Sequence, residues 1–383
     1  MASMIKPFSK LFTPISTISP GVYHYISPQD DARNYRMHLR IEQDGHGVLI
    51  INAATVLHLN QTAAEYAYYF VNNIRADEVG RRVSQRYHVS SEQARQDYQD
   101  TTDRILTLIE MPDLDPVTFL DFERRSPYAG RISAPYRLDC ALTYRLPADI
   151  EADLAPEERV TRELTTEEWY TVMDKAWQAG IPHLVFTGGE PTLRADLPDL
   201  VSHAESNGQV TGLLTDGLRF TDRQYLNTLL MTGLDHIMML YQAEIESFWQ
   251  ALDNVTAADI SAAIHLTLTP GNINQAYDLL KTLSEHSVKA ISLSVVDQTL
   301  GDGLNRLADL AASLHLSLVW DLPVPYSQMN PVSLEVRSTQ LAEGAGRAWL
   351  YVEPDGDVLP AQGADHRLGN MLSDQWETIW KPS

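Results

Sequence analysis

Five consecutive residues, Gly188-Gly189-Glu190-Pro191-Thr192, carry the clearest chemical signal in this chain. They follow the apolar run His183 to Thr187, which reads as a β-strand. Two glycines at the C-terminal end of a strand let a ligand approach the backbone closely, and Glu190 supplies an acceptor beside them. An ordinary strand-to-helix turn has the same composition, so the five residues alone leave both readings open. Thr215-Asp216-Gly217 closes the next strand-like run in a similar way. The acidic stretch Asp149, Glu151, Asp153, Glu157 and Glu158 suits a solvated loop or a divalent cation, and its spacing matches no fixed coordination geometry. His183, His236 and His265 fall at strand positions, where satisfied core or rim histidines are the ordinary outcome. Cys140 is the only cysteine. One thiol excludes an intramolecular disulfide and any zinc or iron–sulfur site made of several thiolates of one chain. Its place inside a strand-like run makes Cys140 a packed core residue. Metalloprotease, nucleophile-elbow and P-loop signatures are absent.

The elements that must hold these residues alternate over residues 136–322. Strands are expected at Arg137 to Tyr144, His183 to Thr187, Val210 to Thr215, His236 to Tyr241, Ala263 to Thr269, Ala290 to Val295 and Ser317 to Asp321. Between them the periodicity predicts helices at Thr166 to Ala179, Asp196 to Asn207, Asp222 to Met231, Glu244 to Leu252, Asn272 to His286 and Leu304 to Leu314. Gly180, Gly208 and Gly233 close the first three. Six βα units predict a parallel sheet with helices outside, a partial (β/α)6 barrel and not a closed eightfold one. Upstream, residues 36–110 read as three strands and then three helices. The strands are Met37 to Gln43, Gly47 to Asn52 and Thr55 to Leu59, with a tight turn at Asp44-Gly45. The helices are capped at Asn60, start at Asp77, and are capped at Ser90 or Ser91 before running to about Glu110. The fold class is α/β with this β3α3, winged-helix-like domain in front. Residues 1–35 read as an irregular arm and 111–135 as a proline-marked linker. Residues 323–383 read as a short tail with a hairpin at Pro354-Asp355-Gly356 and a helix ending near Trp380.

Bulk properties narrow the function classes. With 29 Lys and Arg against 51 Asp and Glu, the net charge is −22. A field of that sign repels nucleic-acid phosphates and anionic lipid surfaces, so neither partner is expected. The N-terminus lacks the apolar segment of a secretory signal, and no apolar run reaches the roughly 20 residues of a membrane span. A cytoplasmic location is expected.

In this context Gly188 to Thr192 resembles the Gly-Gly-Glu-Pro motif of radical S-adenosylmethionine (SAM) enzymes. In that family the motif's backbone and Glu bind the methionine amino group of SAM. Leu142-Thr143-Tyr144-Arg145 resembles the strand before the family's cysteine loop, and Thr215-Asp216-Gly217 its Thr-Asn-Gly-type turn. The segments Val352 to Pro360, Leu368 to Met371 and Trp376 to Trp380 resemble a SPASM-type auxiliary-cluster tail. The resemblance runs from about Ala134 to Trp380 in matching order. It implies a residual SAM pocket at Gly188, Gly189, Glu190, Pro191, Thr215 and Asp216. It also exposes departures. The family's Cys-x3-Cys-x2-Cys positions fall on Leu146, Ile150 and Asp153. Two tail cysteines fall on Glu343 and Ala361, and a third on Ser327. Two aliphatic side chains and one carboxylate cannot hold a four-iron cluster. Leu146 and Ile150 are expected to fill the vacated space as buried side chains.

The β3α3 order resembles the peptide-recognition (PqqD-like) element often fused before a radical SAM domain in ribosomal-peptide pathways. Such elements bind a leader peptide as an added strand beside the third strand, against the third helix. Carried over, the edge is Thr55, Val56, Leu57 and His58 to Leu59, and the groove wall is Tyr98, Thr102 and Ile105. The expectation is a catalytically inactive pseudoenzyme, without a four-iron cluster, that binds a leader or precursor peptide or an active enzyme partner. A packing domain without a ligand is the plainer alternative for residues 36–110. For the whole chain the alternatives are a SAM-binding enzyme with non-radical chemistry such as methyl transfer, and an active radical enzyme with atypical cluster ligation.

Overall fold

The structure, a computed structural model, describes residues 18–28, 30–53, 55–111, 132–147, 152–242, 245–258, 260–337 and 341–381. Expectations for most of the arm, for most of the linker and for Asp149, Ile150 and Glu151 lie outside the described residues. The chain divides into two units, residues 1–127 and 128–383.

The first unit is a four-stranded antiparallel sheet with three helices. The strands β1 (Gly21–Ile26), β2 (Arg36–Ile41), β3 (Gly47–Ile51) and β4 (Thr55–Leu59) pair in sequence order. Strand β1 corrects the expected irregular arm. Pro20 and Pro28 lie just outside it and bracket the strand, where prolines are tolerated. Its Tyr23 ring meets Tyr68 edge-on, with centroids 4.8 Å apart, and Tyr25 lies near Phe70. The helices α1 (Gln61–Val71), α2 (Ala76–Arg86) and α3 (Ser91–Glu110) follow the expected caps. The Asn60 side chain accepts from Ala63 N–H at 2.9 Å and Ser90 from Gln93 N–H at 3.1 Å. One core joins Leu39, Leu49 and Leu57 of the sheet to Ala64, Ala67, Ile105 and Leu108 of the helices. A second lies among the helices around Tyr66, Tyr69, Val83 and Tyr98.

The second unit is built on one ten-stranded sheet. Strands β5 (Arg137–Thr143), β6 (His183–Gly188), β7 (Val210–Thr215), β8 (His236–Leu240), β9 (Ser261–Leu268), β10 (Ala290–Val295) and β11 (Ser317–Val319) lie side by side in parallel. The intervening helices are α4 (Thr166–Ala179), α5 (Leu197–Asn207), α6 (Arg223–Met231), α7 (Glu246–Thr256), α8 (Ala276–Glu285) and α9 (Gly301–Ser313). The tail joins this sheet. Its strand β12 (Trp349–Val352) pairs in parallel with β5, then turns at Gly356 into antiparallel β13 (Asp357–Leu359) and β14 (Gly369–Asn370). The sheet is open: β11 forms one edge and β14 the other. Both faces are apolar, as parallel sheets require. Leu184, Phe186, Leu213 and Ile264 point toward the helices with Trp169, Leu200 and Phe248. Their alternating neighbours Val185, Leu214, Met238 and Ala263 pack on the opposite, inner face. Among the described residues no helix is long and apolar enough to cross a membrane.

Candidate functional site

The C-terminal ends of β5, β6 and β7 meet at the glycine-rich turn. Gly188 has φ +121°, and a Cβ there would strike Thr143 O; one on Gly189 would strike Arg145 O. The two glycines let β5 and β6 close up, with Gly189 N–H on Thr143 O at 2.8 Å and Glu190 N–H on Arg145 O at 2.9 Å. Glu190 is buried. Its Oε1 accepts from Thr192 N–H at 2.9 Å and from the Thr215 hydroxyl at 2.8 Å, and its Oε2 accepts from Asp216 N–H at 2.8 Å. Asp216 accepts from Leu218 N–H at 2.9 Å. Burial, and then the Glu190 charge, push its carboxyl up to about 8. The structure thus brings Gly188, Gly189, Glu190, Pro191, Thr215 and Asp216 into one contiguous site. Gly188 O accepts from Tyr326 N–H at 2.8 Å.

Tyr326 belongs to a set of side chains over the inner mouth of β5 that sequence reasoning missed. Tyr144, Tyr326 and Tyr351 are buried with Ala141, Ala155 and Leu359, and Leu146 packs against them. Tyr144 and Tyr326 meet edge-on at 5.4 Å. The Tyr144 hydroxyl donates to Glu353 Oε1 at 3.0 Å, and the Tyr326 hydroxyl donates to Glu335. Arg159 joins both carboxylates, at 2.7 Å to Glu335 and 3.4 Å to Glu353. Burial raises the pKa of both Glu335 and Glu353, and Arg159 opposes that rise without cancelling it. Three rings and one bridging guanidinium therefore lie together beside the end of β5.

The family model for the radical SAM superfamily matches residues 140–305. Those residues are a radical SAM domain. The PqqA peptide cyclase of Streptomyces rochei is 29% identical over 280 residues, 64% of this chain and 76% of that protein. The crystal structure of Streptococcus suis SuiB bound to its precursor peptide SuiA matches with a TM-score of 0.59 at 14% identity. It covers 93% of this chain and 88% of SuiB. SuiB bound to S-adenosylmethionine matches with a TM-score of 0.58 at 13% identity, over the same shares of the two chains. At these identities the SuiB matches speak for the fold.

A radical SAM domain implies a four-iron cluster, and the residues present do not fit one. Cys140 is fully buried on the helix-facing side of β5, and burial pushes its thiol well up. Leu146 is half-buried against the tyrosine cluster, less covered than expected because it packs at the margin of that cluster and not inside it. Asp153 and Glu343 are exposed, and Ala361 and Ser327 are half-buried. Ile150 lies outside the described residues. Among the described residues no group of three or more His, Cys, Asp and Glu side chains is placed to hold a metal ion. The SAM contacts carried over to the motif are also engaged internally: Gly188 O by Tyr326, and Glu190 by Thr192, Thr215 and Asp216.

Elsewhere on the inner face, His265 is buried and bonded through Nδ1 to Ser292 Oγ at 3.0 Å and through Nε2 to Thr267 and Ser294 hydroxyls, each at 3.1 Å. Burial lowers its pKa to about 4. A histidine whose folded pKa lies below its unfolded value near 6.5 contributes stability above that value and loses it as pH falls toward 4. Urea unfolding at pH 7.5 and 5 should show part of that loss, worth about 2 kcal/mol from His265 over this range. His265→Gln, which does not titrate, should lose correspondingly less; equal losses would remove His265 as the cause.

In the first unit, β4 is an edge strand of its sheet. Leu57 and Leu59 are buried while Thr55, Val56 and His58 are half-buried. The expected groove wall divides. Ile105 shares a core with Leu57 and Leu59. Tyr98 instead packs on Tyr66 in the helical cluster and donates its hydroxyl to Ile74 O at 3.1 Å, with Thr102 half-buried one turn further along α3. Tyr98 is corrected from a groove residue to a helix-packing residue, because α2 occupies the side of α3 on which it lies.

Proposed function

We propose that this chain is a radical SAM protein without radical chemistry, a pseudoenzyme that binds a ribosomal precursor or leader peptide by strand addition at β4. The observation that carries the first half is the mouth of β5. Tyr144, Tyr326, Tyr351 and the Arg159–Glu335–Glu353 bridge occupy it, and Leu146 packs against them. Methyl transfer from SAM gains nothing from this geometry, since Glu190 already serves three donors of its own chain.

The peptide half is supported by β4 being the last strand of its sheet among the described residues, since an edge strand can supply backbone hydrogen bonds to an added chain. The PqqA peptide cyclase and the SuiB–SuiA complex are relatives whose names tie them to peptides. The test is calorimetric titration of the full chain with peptides encoded beside its gene, followed by hydrogen exchange. Saturating peptide should slow exchange across Thr55–Leu59 roughly tenfold or more. Tyr98→Ala should lower the melting temperature of the first unit. Failure of every such peptide to bind, or protection confined to other strands, would leave the packing-domain reading in place.

A further inference from the structure

A recess of the second unit lies at the C-terminal ends of β8 and β9. It measures about 650 Å³, within the roughly 300–1,000 Å³ of small-molecule sites. Tyr241, Ile245, Trp249, Leu279 and Met329 give it an apolar wall, and Ile245 and Met329 at its rim are 36% and 40% exposed. That exposure of large apolar side chains around a concavity is the pattern of a surface that something covers. The floor carries His265 and Thr267. Both His265 nitrogens are engaged by Ser292, Thr267 and Ser294, which holds the ring neutral and fixed.

Charge decides what fits. Asp278 is the one charged side chain of the lining among the described residues, and it pairs with Lys281 at 3.2 Å in an exposed position. No arginine or lysine among the described residues lines the recess, so an anionic ligand would lose its hydration without a partner. Gln242 and Gln275 stand at the opening, each with one amide that can donate and accept. We infer that this recess binds an uncharged molecule carrying an aromatic or branched apolar group next to an amide. The site is independent of strand addition at β4 and of the occupied mouth of β5.

Ligand-observed NMR on the full chain with three probes tests it. N-acetyl-phenylalaninamide is neutral, N-acetyl-phenylalanine carries a carboxylate, and phenethylamine carries an ammonium. The neutral amide should bind roughly tenfold more tightly than either charged relative. Leu279→Asp, which puts a charge into the apolar wall, should weaken the amide roughly tenfold. Gln242→Lys at the opening should raise affinity for the N-acetyl-phenylalanine anion and leave the melting temperature unchanged. Equal affinity for the three probes, no binding of the amide at millimolar concentration, or an unchanged preference in Gln242→Lys overturns the inference.

Discussion

Purified protein, treated anaerobically with iron and sulfide, should show no four-iron charge-transfer absorption and no stoichiometric iron. Three separate features lead there. The one thiol sits on the helix-facing side of β5 with its pKa raised by burial, so it neither reaches the inner mouth nor ionises readily. Position 146 is an apolar side chain packed on a tyrosine cluster, and position 153 is exposed. Arg159 is already committed to Glu335 and Glu353 over the same mouth. Placing cysteines at 146, 150 and 153 together tests whether sequence alone is the obstacle. Leu146→Cys should cost only about 1 kcal/mol, because Leu146 is half-buried, and Asp153→Cys close to nothing, because it is exposed. Even so, the triple variant should remain without a cluster, since position 146 packs against the buried tyrosine cluster of Tyr144, Tyr326 and Tyr351. A four-iron spectrum from the unmodified chain would defeat the pseudoenzyme reading. One from the triple variant would show that the tyrosines yield, and would leave that reading resting on the missing thiols alone.

Much of the fold was legible because it is written in local signals. Thr165 and Glu168 form a capping box, Gly180 and Gly208 adopt the left-handed conformation at helix ends, and the expected helices Thr166 to Ala179 and Asp196 to Asn207 match α4 and α5 within a residue. Helix α8 begins four residues after its expected start, because Asn272 spends its side chain on Thr269 N–H and Thr267 O in a turn instead of capping the helix. Strand β1 was missed because its apolar residues are half-buried and show no clean alternation. The glycine-rich site was legible as a motif, but what surrounds it was not. Tyr144, Arg159, Tyr326, Glu335, Tyr351 and Glu353 lie on separate segments that meet only because β12 returns to pair with β5. No periodicity in one segment encodes a contact with another 200 residues away. Tyr98 shows the converse: a resemblance placed it in a groove wall, yet its place on α3 alone cannot say whether it faces a strand or a neighbouring helix.

Glu190→Ala should lower the unfolding free energy by about 3 kcal/mol, an effect on stability and not on cofactor use. The carboxylate is the shared acceptor for Thr192 N–H, the Thr215 hydroxyl and Asp216 N–H, and it ties the end of β6 to the end of β7. Removing it strands three donors in a buried pocket, each costing about 1–3 kcal/mol before relaxation. Glu190→Gln should cost less, because its amide oxygen can still accept while its NH2 group faces a donor it cannot satisfy. The pH dependence separates this role from a ligand role. Asp216 has a folded pKa raised to about 8, by burial first and by Glu190 second. A carboxyl raised in this way contributes stability that is present below its unfolded value near 3.9 and is withdrawn as pH climbs through 8. Replacing Glu190 by Gln removes the neighbouring charge and leaves burial, so the decline in stability between pH 5 and 8 should become shallower in the variant. Guanidinium unfolding of the wild type, Glu190→Ala and Glu190→Gln across that range measures both quantities. If Glu190 were kept chiefly to hold SAM, Glu190→Ala would abolish SAM binding with stability unchanged or improved, and the pH slope would not move.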